Sequence, residues 1–116
     1  MHESSIAINI LDIAEQECGK HGCTVVDSVC VRIGNASGIM AESLNFVYDI
    51  IKDGYLTAKN SRLLIEIVPL AGTCKDCKQE FEAHDTLYVF NCPLCGSASF
   101  EITRGREMEI AEMEIH

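Results

Sequence analysis

Helical periodicity near the start of the chain, two matched cysteine pairs near its end and a last alternating segment together predict an α+β fold. In it, two helices lie on a three-stranded sheet that is interrupted, before its final strand, by an inserted zinc-ribbon domain. Residues 4–20 place Ile6, Ile10 and Ile13, with Ala7, Leu11, Ala14 and Cys18, at three- and four-residue spacing. Asn9, Asp12, Glu15 and Gln16 fall opposite, which is the pattern of an amphipathic helix. Ser4 or Ser5 suits its start, and Gly19 or Gly22 its end. Residues 24–33 are rich in β-branched side chains and read as a strand, followed by a loop at Gly34-Asn-Ala-Ser-Gly38. A second helix is expected over 41–53, with Leu44, Val47, Tyr48 and Ile51 on one face and Gly54 as its stop.

Residues 62–70 alternate as a strand with Leu63, Ile65 and Ile67 on one side. The closing segment 106–115 also alternates, but Met108 and Ile110 are out of phase with Met113 and Ile115, so a bulge is expected near Ala111-Glu112. This last strand needs a partner, and the strand before the ribbon is the natural one. The predicted organisation is therefore a domain of residues 1–70 plus 104–116, into which the ribbon, 71–103, is inserted with its ends close together.

The ribbon rests on Cys74-Lys-Asp-Cys77 and Cys92-Pro-Leu-Cys95, separated by fourteen residues. Each C-x-x-C turn sets two sulfurs on one side of a tight knuckle, and two facing knuckles supply four thiolates in a tetrahedron, which suits Zn(II). Two disulfides are the plainer reading, but seven cysteines and no segment resembling a secretory signal argue for free thiols, a reducing compartment and a cytoplasmic protein. The alternative is a rubredoxin-like Fe(Cys)4 electron carrier, because such knuckles hold iron as well. A long helical segment and no aromatic shield around the pairs weigh against it.

Charge narrows the partners. The net charge is −9, and four thiolates around one divalent ion make it more negative still. Lys and Arg are scattered, so nucleic acid is an unsuitable partner. No apolar run is long enough to predict a membrane span. Neither a nucleophile with an adjacent base nor a Gly-rich phosphate loop is evident, so no enzyme activity is expected.

The chain opens Met1-His2-Glu3. A free Met1 amine, the His2 amide nitrogen and the His2 imidazole close two chelate rings around a metal, and the Glu3 amide can complete a four-nitrogen set. Ni(II) and Cu(II) accept such nitrogen sets, whereas Zn(II) does so poorly. By itself, a histidine at position two is most often only an exposed terminal residue.

Met1-His2-Glu3 before a helix resembles the start of the HypA/HybF family of hydrogenase nickel-insertion proteins. The similarity continues through Val31-Arg-Ile-Gly34-Asn-Ala-Ser-Gly38, Glu42-Ser-Leu-Asn-Phe46 and Ile65-Glu-Ile-Val-Pro69 into Cys74-x-x-Cys77. It extends through Cys92-Pro-x-Cys95-Gly96-Ser97 to Gly105-Arg-Glu-Met-Glu-Ile110. The resemblance implies a nickel metallochaperone with a separate structural zinc domain. It implies Ni(II) as cargo at Met1, His2 and Glu3, and Zn(II) at Cys74, Cys77, Cys92 and Cys95. The partners it implies are a HypB-type GTPase and a hydrogenase large-subunit precursor, and it leaves room for a homodimer. Ser4 departs from the family, where an apolar residue is common, and Lys78 and Gly96, not histidines, follow the two cysteine pairs. Cys18 and Cys30 read as small buried hydrophobes, Cys23 as part of a turn with His21, His84 as a loop residue and His116 as a frayed end. Glu107, Glu109, Glu112 and Glu114 read as a solvated strand face.

Overall fold

The computed structural model describes residues 2–83 and 91–116; the expectation for His84 lies outside them. Helix α1 spans Glu3–Lys20. It is followed by strand β1, Val26–Gly34, helix α2, Ala41–Ile51, and a single 3-10 turn, Lys52–Gly54. Strands β2, Arg62–Val68, and β3, Leu70–Cys74, come next. Then come β4, Glu80–Ala83, β5, Phe100–Arg104, and β6, Met108–Ile115. They form two three-stranded sheets, β2-β1-β6 and β4-β3-β5.

The first sheet has β1 at its centre, parallel to β2 and antiparallel to β6. This corrects the expected partner of the last strand, which is β1 and not the strand before the ribbon. Strand β1 is the most buried of the three, with Val26, Val29, Val31 and Ile33 inside the core, and flanking it on both edges keeps that apolar surface from water. Strand β2, with Leu64 and Ile67 half-exposed, tolerates an edge. The expected bulge is present: Cys30 faces Glu112 while Val31 faces Ile110, which leaves Ala111 without an opposite residue.

Helix α1 buries Ile6, Ala7, Ile10, Leu11, Ala14 and Cys18 against α2 and the sheet. Its N-cap is His2, whose carbonyl accepts from the Ser5 and Ile6 N–H groups, so Ser4 and Ser5 lie inside the first turn and do not cap it. Helix α2 contributes Leu44 and Tyr48. The fully buried Tyr48 hydroxyl meets Ser61 Oγ at 2.6 Å, and burial raises its pKa. Two of the acidic residues on the polar face of α1 are tied down within the fold. Tyr55 donates to Asp12 at 2.7 Å, and this bond is the main reason the Tyr55 phenol is pushed up to about 12. Thr57 donates to Glu15 through its hydroxyl at 2.9 Å.

Both chain crossings into the second sheet lie at the Gly34 end of β1, where Gly34 pairs with Val68 of β2 and β6 begins opposite Ile33. The 34–38 loop is stitched to both: Asn35 N–H donates to Val68 O at 2.9 Å, and Ala36 N–H to Gly105 O at 2.6 Å. Leu70 and Ala71, just past the crossing, are buried.

The candidate metal centre

The second sheet gathers the four cysteines. Cys74 ends β3, and the two C-x-x-C turns use one backbone plan. In the first, Lys78 N–H donates to Cys74 O at 3.0 Å and Cys74 N–H to Gln79 O at 3.0 Å. In the second, Gly96 N–H donates to Cys92 O at 2.8 Å and Cys92 N–H to Ser97 O at 2.7 Å. The residue after each pair takes a left-handed backbone, with φ 59° at Lys78 and 80° at Gly96. Glycine adopts that conformation freely, whereas Lys78 does so against its Cβ. A contact between the Ser97 hydroxyl and the Asp76 carboxylate ties one knuckle to the other.

All four sulfurs lie within 4.8 Å of one another. Cys74 and Cys95 are 3.5 Å apart, and Cys77 and Cys92 are 3.8 Å apart. A tetrahedron with metal–sulfur bonds of about 2.3 Å has sulfur–sulfur edges of about 3.8 Å, so the donor set fits a tetrathiolate ion such as zinc. The Cys77 backbone N–H is the largest influence on Cys74 and, with that of Asp76, lowers its thiol to about 6, although burial works the other way. At Cys95 the Ser97 N–H also lowers, but the other thiols and desolvation outweigh it and push that sulfur up to about 12. Thiols this close cannot all ionise without a cation among them. Cys74 and Cys92 are buried and Cys95 is exposed. Phe81 and Phe100 meet edge to face at 5.5 Å beside the buried pair. An aromatic shield therefore exists where the sequence reading found none, and that argument against an iron site falls.

At the other end of the chain His2 is exposed and Glu3 half-buried, at the first turn of α1, while Met1 lies outside the described residues. The His2 side chain makes no capping hydrogen bond. Several minor expectations are corrected. Cys18, read as a small buried hydrophobe, and Cys23, read as a turn residue, are joined as a disulfide, because the turn after α1 folds residue 23 back over residue 18. Their bonding also overturns the expectation that the thiols outside the ribbon are all free. His116 is not frayed: its N–H donates to Val25 O at 2.9 Å, and its Nδ1 lies 2.6 Å from Asp27. Cys30 is half-buried and free. Glu109 and Arg32 form a surface pair, but Glu107 is not merely solvated, since it accepts the Gly105 N–H at 2.6 Å.

A helical α+β unit interrupted by a ribbon that gathers four sulfurs defines a small metal-handling protein. Comparison with known proteins makes this specific. The chain belongs to the HypA family, whose model, described as "Hydrogenase/urease nickel incorporation, metallochaperone, hypA", matches residues 1–115. It is 39% identical over 114 residues to the hydrogenase maturation factor HypA of Roseiflexus sp. (strain RS-1), covering 98% of this chain and 91% of that one. It is 34% identical over 115 residues to the HypA of Picosynechococcus sp. (strain ATCC 27264 / PCC 7002 / PR-6), covering 99% of each. The fold matches the solution structure of the nickel metallochaperone HypA from Helicobacter pylori with a TM-score of 0.68 and 26% identity, over 99% of this chain and 97% of that one. The family consists of nickel metallochaperones for hydrogenase maturation, not enzymes, and its description includes urease beside hydrogenase. Work of that kind implies partner maturation proteins. No helix among the described residues is long and apolar enough to cross a membrane.

Proposed function

We propose that this chain carries Ni(II) at its N-terminus, through Met1, His2 and Glu3, and delivers it during maturation of a NiFe hydrogenase. The observation that carries this reading is the position of His2 as N-cap of α1. The amide nitrogens of His2 and Glu3 precede the first intrahelical hydrogen bond, whose donor is Ser5. They can give up protons to a metal without breaking the helix. The imidazole is exposed and makes no hydrogen bond or ion pair among the described residues, so the site can form and be taken apart from solvent.

Cys74, Cys77, Cys92 and Cys95 would hold Zn(II), which would staple the ribbon and take no part in the transfer. The separate buried clusters of the two sheets support treating 1–70 plus 104–116 and 71–103 as two domains. The receiving partner is a hydrogenase large-subunit precursor, with a HypB-type GTPase assisting; a homodimer is compatible with the exposed edge of β6. Free thiolates for zinc favour the cytoplasm.

Calorimetry tests the nickel site. His2→Ala, and separately one residue added before Met1, should each abolish stoichiometric Ni(II) binding with zinc content and fold unchanged. Full binding in the extended variant would overturn the reading. Metal analysis of the purified protein decides the ribbon ion, and a coloured iron protein would favour the Fe(Cys)4 alternative, for which the Phe81–Phe100 shield is the supporting observation.

A further inference from the structure

Helix α1 ends in a backbone motif that selects two side chains. His21 is its C-cap, and Gly22 follows with φ 65°. Gly22 N–H donates to Gly19 O at 3.2 Å, and Cys23 N–H to Cys18 O at 2.9 Å. This is a Schellman turn, in which the residue after the left-handed glycine is brought into contact with the residue three back from the helix cap. Those two positions usually hold an apolar pair. Here both are cysteine, with a Cα separation of 5.0 Å, well within the range a disulfide spans.

We infer that Cys18 and Cys23 form a thiol–disulfide exchange site whose substrates are small disulfides of the glutathione type. Their access differs, and that sets the order of steps. Cys18 is fully buried in the core and Cys23 is half-buried. The Cys23 thiolate attacks the small disulfide, forming a mixed disulfide and expelling one thiolate, which takes up the Cys23 proton. The Cys18 thiolate then attacks the Cys23 sulfur, forming the internal bond and expelling the second thiolate, which takes up the Cys18 proton. Two protein thiols are oxidised and one small disulfide is reduced to two thiols. The bond fixes the segment that docks the end of the chain. Thr24 and Val25 N–H groups both donate to His116 O, at 2.8 and 2.9 Å, and His116 N–H returns a bond to Val25 O. Closing the pair therefore secures His116, just past β6, against Thr24 and Val25, just before β1, and opening it loosens them. This inference is independent of the nickel and zinc assignments.

The test uses the full zinc-loaded chain, equilibrated with mixtures of reduced and oxidised glutathione, alkylated and read by intact mass and peptide mapping. Cys18 and Cys23 should lose alkylation together in the oxidised mixture and regain it together in the reduced one. Amide exchange at Thr24, Val25 and His116 should be about tenfold faster in the reduced protein. Cys18→Ser should trap glutathione on Cys23, whereas Cys23→Ser should leave Cys18 unmodified. Both thiols remaining alkylatable in excess oxidised glutathione would overturn the inference. So would glutathione on Cys18 in the Cys23→Ser protein, or exchange rates that do not respond to oxidation of the unmutated chain.

Discussion

Gly34→Ala probes the junction that joins the α-helical unit to the ribbon. Gly34 does not have a positive φ, so alanine is allowed there by backbone conformation and would stabilise by about 0.4–1 kcal/mol through the unfolded chain if there were room. There is none. An added Cβ would overlap the Gly105 carbonyl and stand 2.5 Å from Arg106 N, all of it backbone. For Gly105 to retreat, the bonds from Ala36 N–H to Gly105 O and from Gly34 N–H to Glu107 O must lengthen or break. Two such bonds are worth about 0.5–1.5 kcal/mol each, so after the entropic gain the net loss is about 1–2 kcal/mol. With a urea dependence of about 1–3 kcal/mol per molar, the midpoint should fall by roughly 0.5–1 M. Urea titration followed by far-UV dichroism measures it, with zinc content determined in parallel. The ion proposed for the four cysteines should be retained, since Cys74 lies at the opposite end of β3 from the junction. A midpoint equal to or above that of the parent would refute the close-approach argument.

Three further outcomes follow from the same structure. Replacing any one of Cys74, Cys77, Cys92 or Cys95 by Ala should release zinc and unfold the ribbon while α1, α2 and the first sheet persist, as read by metal analysis and amide NMR; one zinc per chain in such a variant would show the ligand set to be wrong. Tyr48→Phe removes the buried bond to Ser61 and should cost about 1 kcal/mol in denaturant titration, because Ser61 Oγ keeps its bond to Ala58 O at 2.6 Å. Glu107 has its carboxyl lowered, chiefly by the Gly105 N–H, so its contribution is present above the unfolded pKa and is lost as pH falls through the lower folded value. Glu107→Gln should therefore be less stable than the parent at neutral pH, and the two should converge in acid; a gap that persists at low pH would mean that the carboxylate charge is not the cause.

The parts of this molecule that were legible in the sequence are those written in local spacing. The periodicity of α1, the two C-x-x-C knuckles and the phase slip that becomes the bulge at Ala111 are all set by residues within one or two turns of each other. Non-local choices were not legible. Nothing in the alternation of 106–115 says whether it pairs with β1 or β2; burial of β1 on both edges decides that. Ser4 and Ser5 have the chemistry of caps, but the helix already begins at Glu3, and the His2 carbonyl supplies the cap. The bonded cysteines did leave a signal that was overlooked: a glycine ending a helix, with cysteines one residue after it and four before. Phe81 and Phe100 lie far from the nearest knuckle residues of the opposite pair in sequence, so their convergence beside Cys74 and Cys92 needed the sheet.

The two proposed metal sites differ in what losing the metal would do to the protein, and that difference fits carriage of one ion and retention of the other. The four thiols sit on knuckles whose backbone bonds are closed on themselves, with Cys74 and Cys92 buried and the Phe81–Phe100 pair beside them. Removing an ion there leaves close-set sulfurs that must take up protons and a ribbon whose apolar cluster, among the described residues, is small, so the ion is bound up with folding. The nitrogens of His2 and Glu3 stand before the first bond of α1, and the core contacts of that helix begin at Ile6. An ion held there as proposed would leave without breaking a helix bond or exposing a core residue, so the stability of the fold would not oppose its transfer.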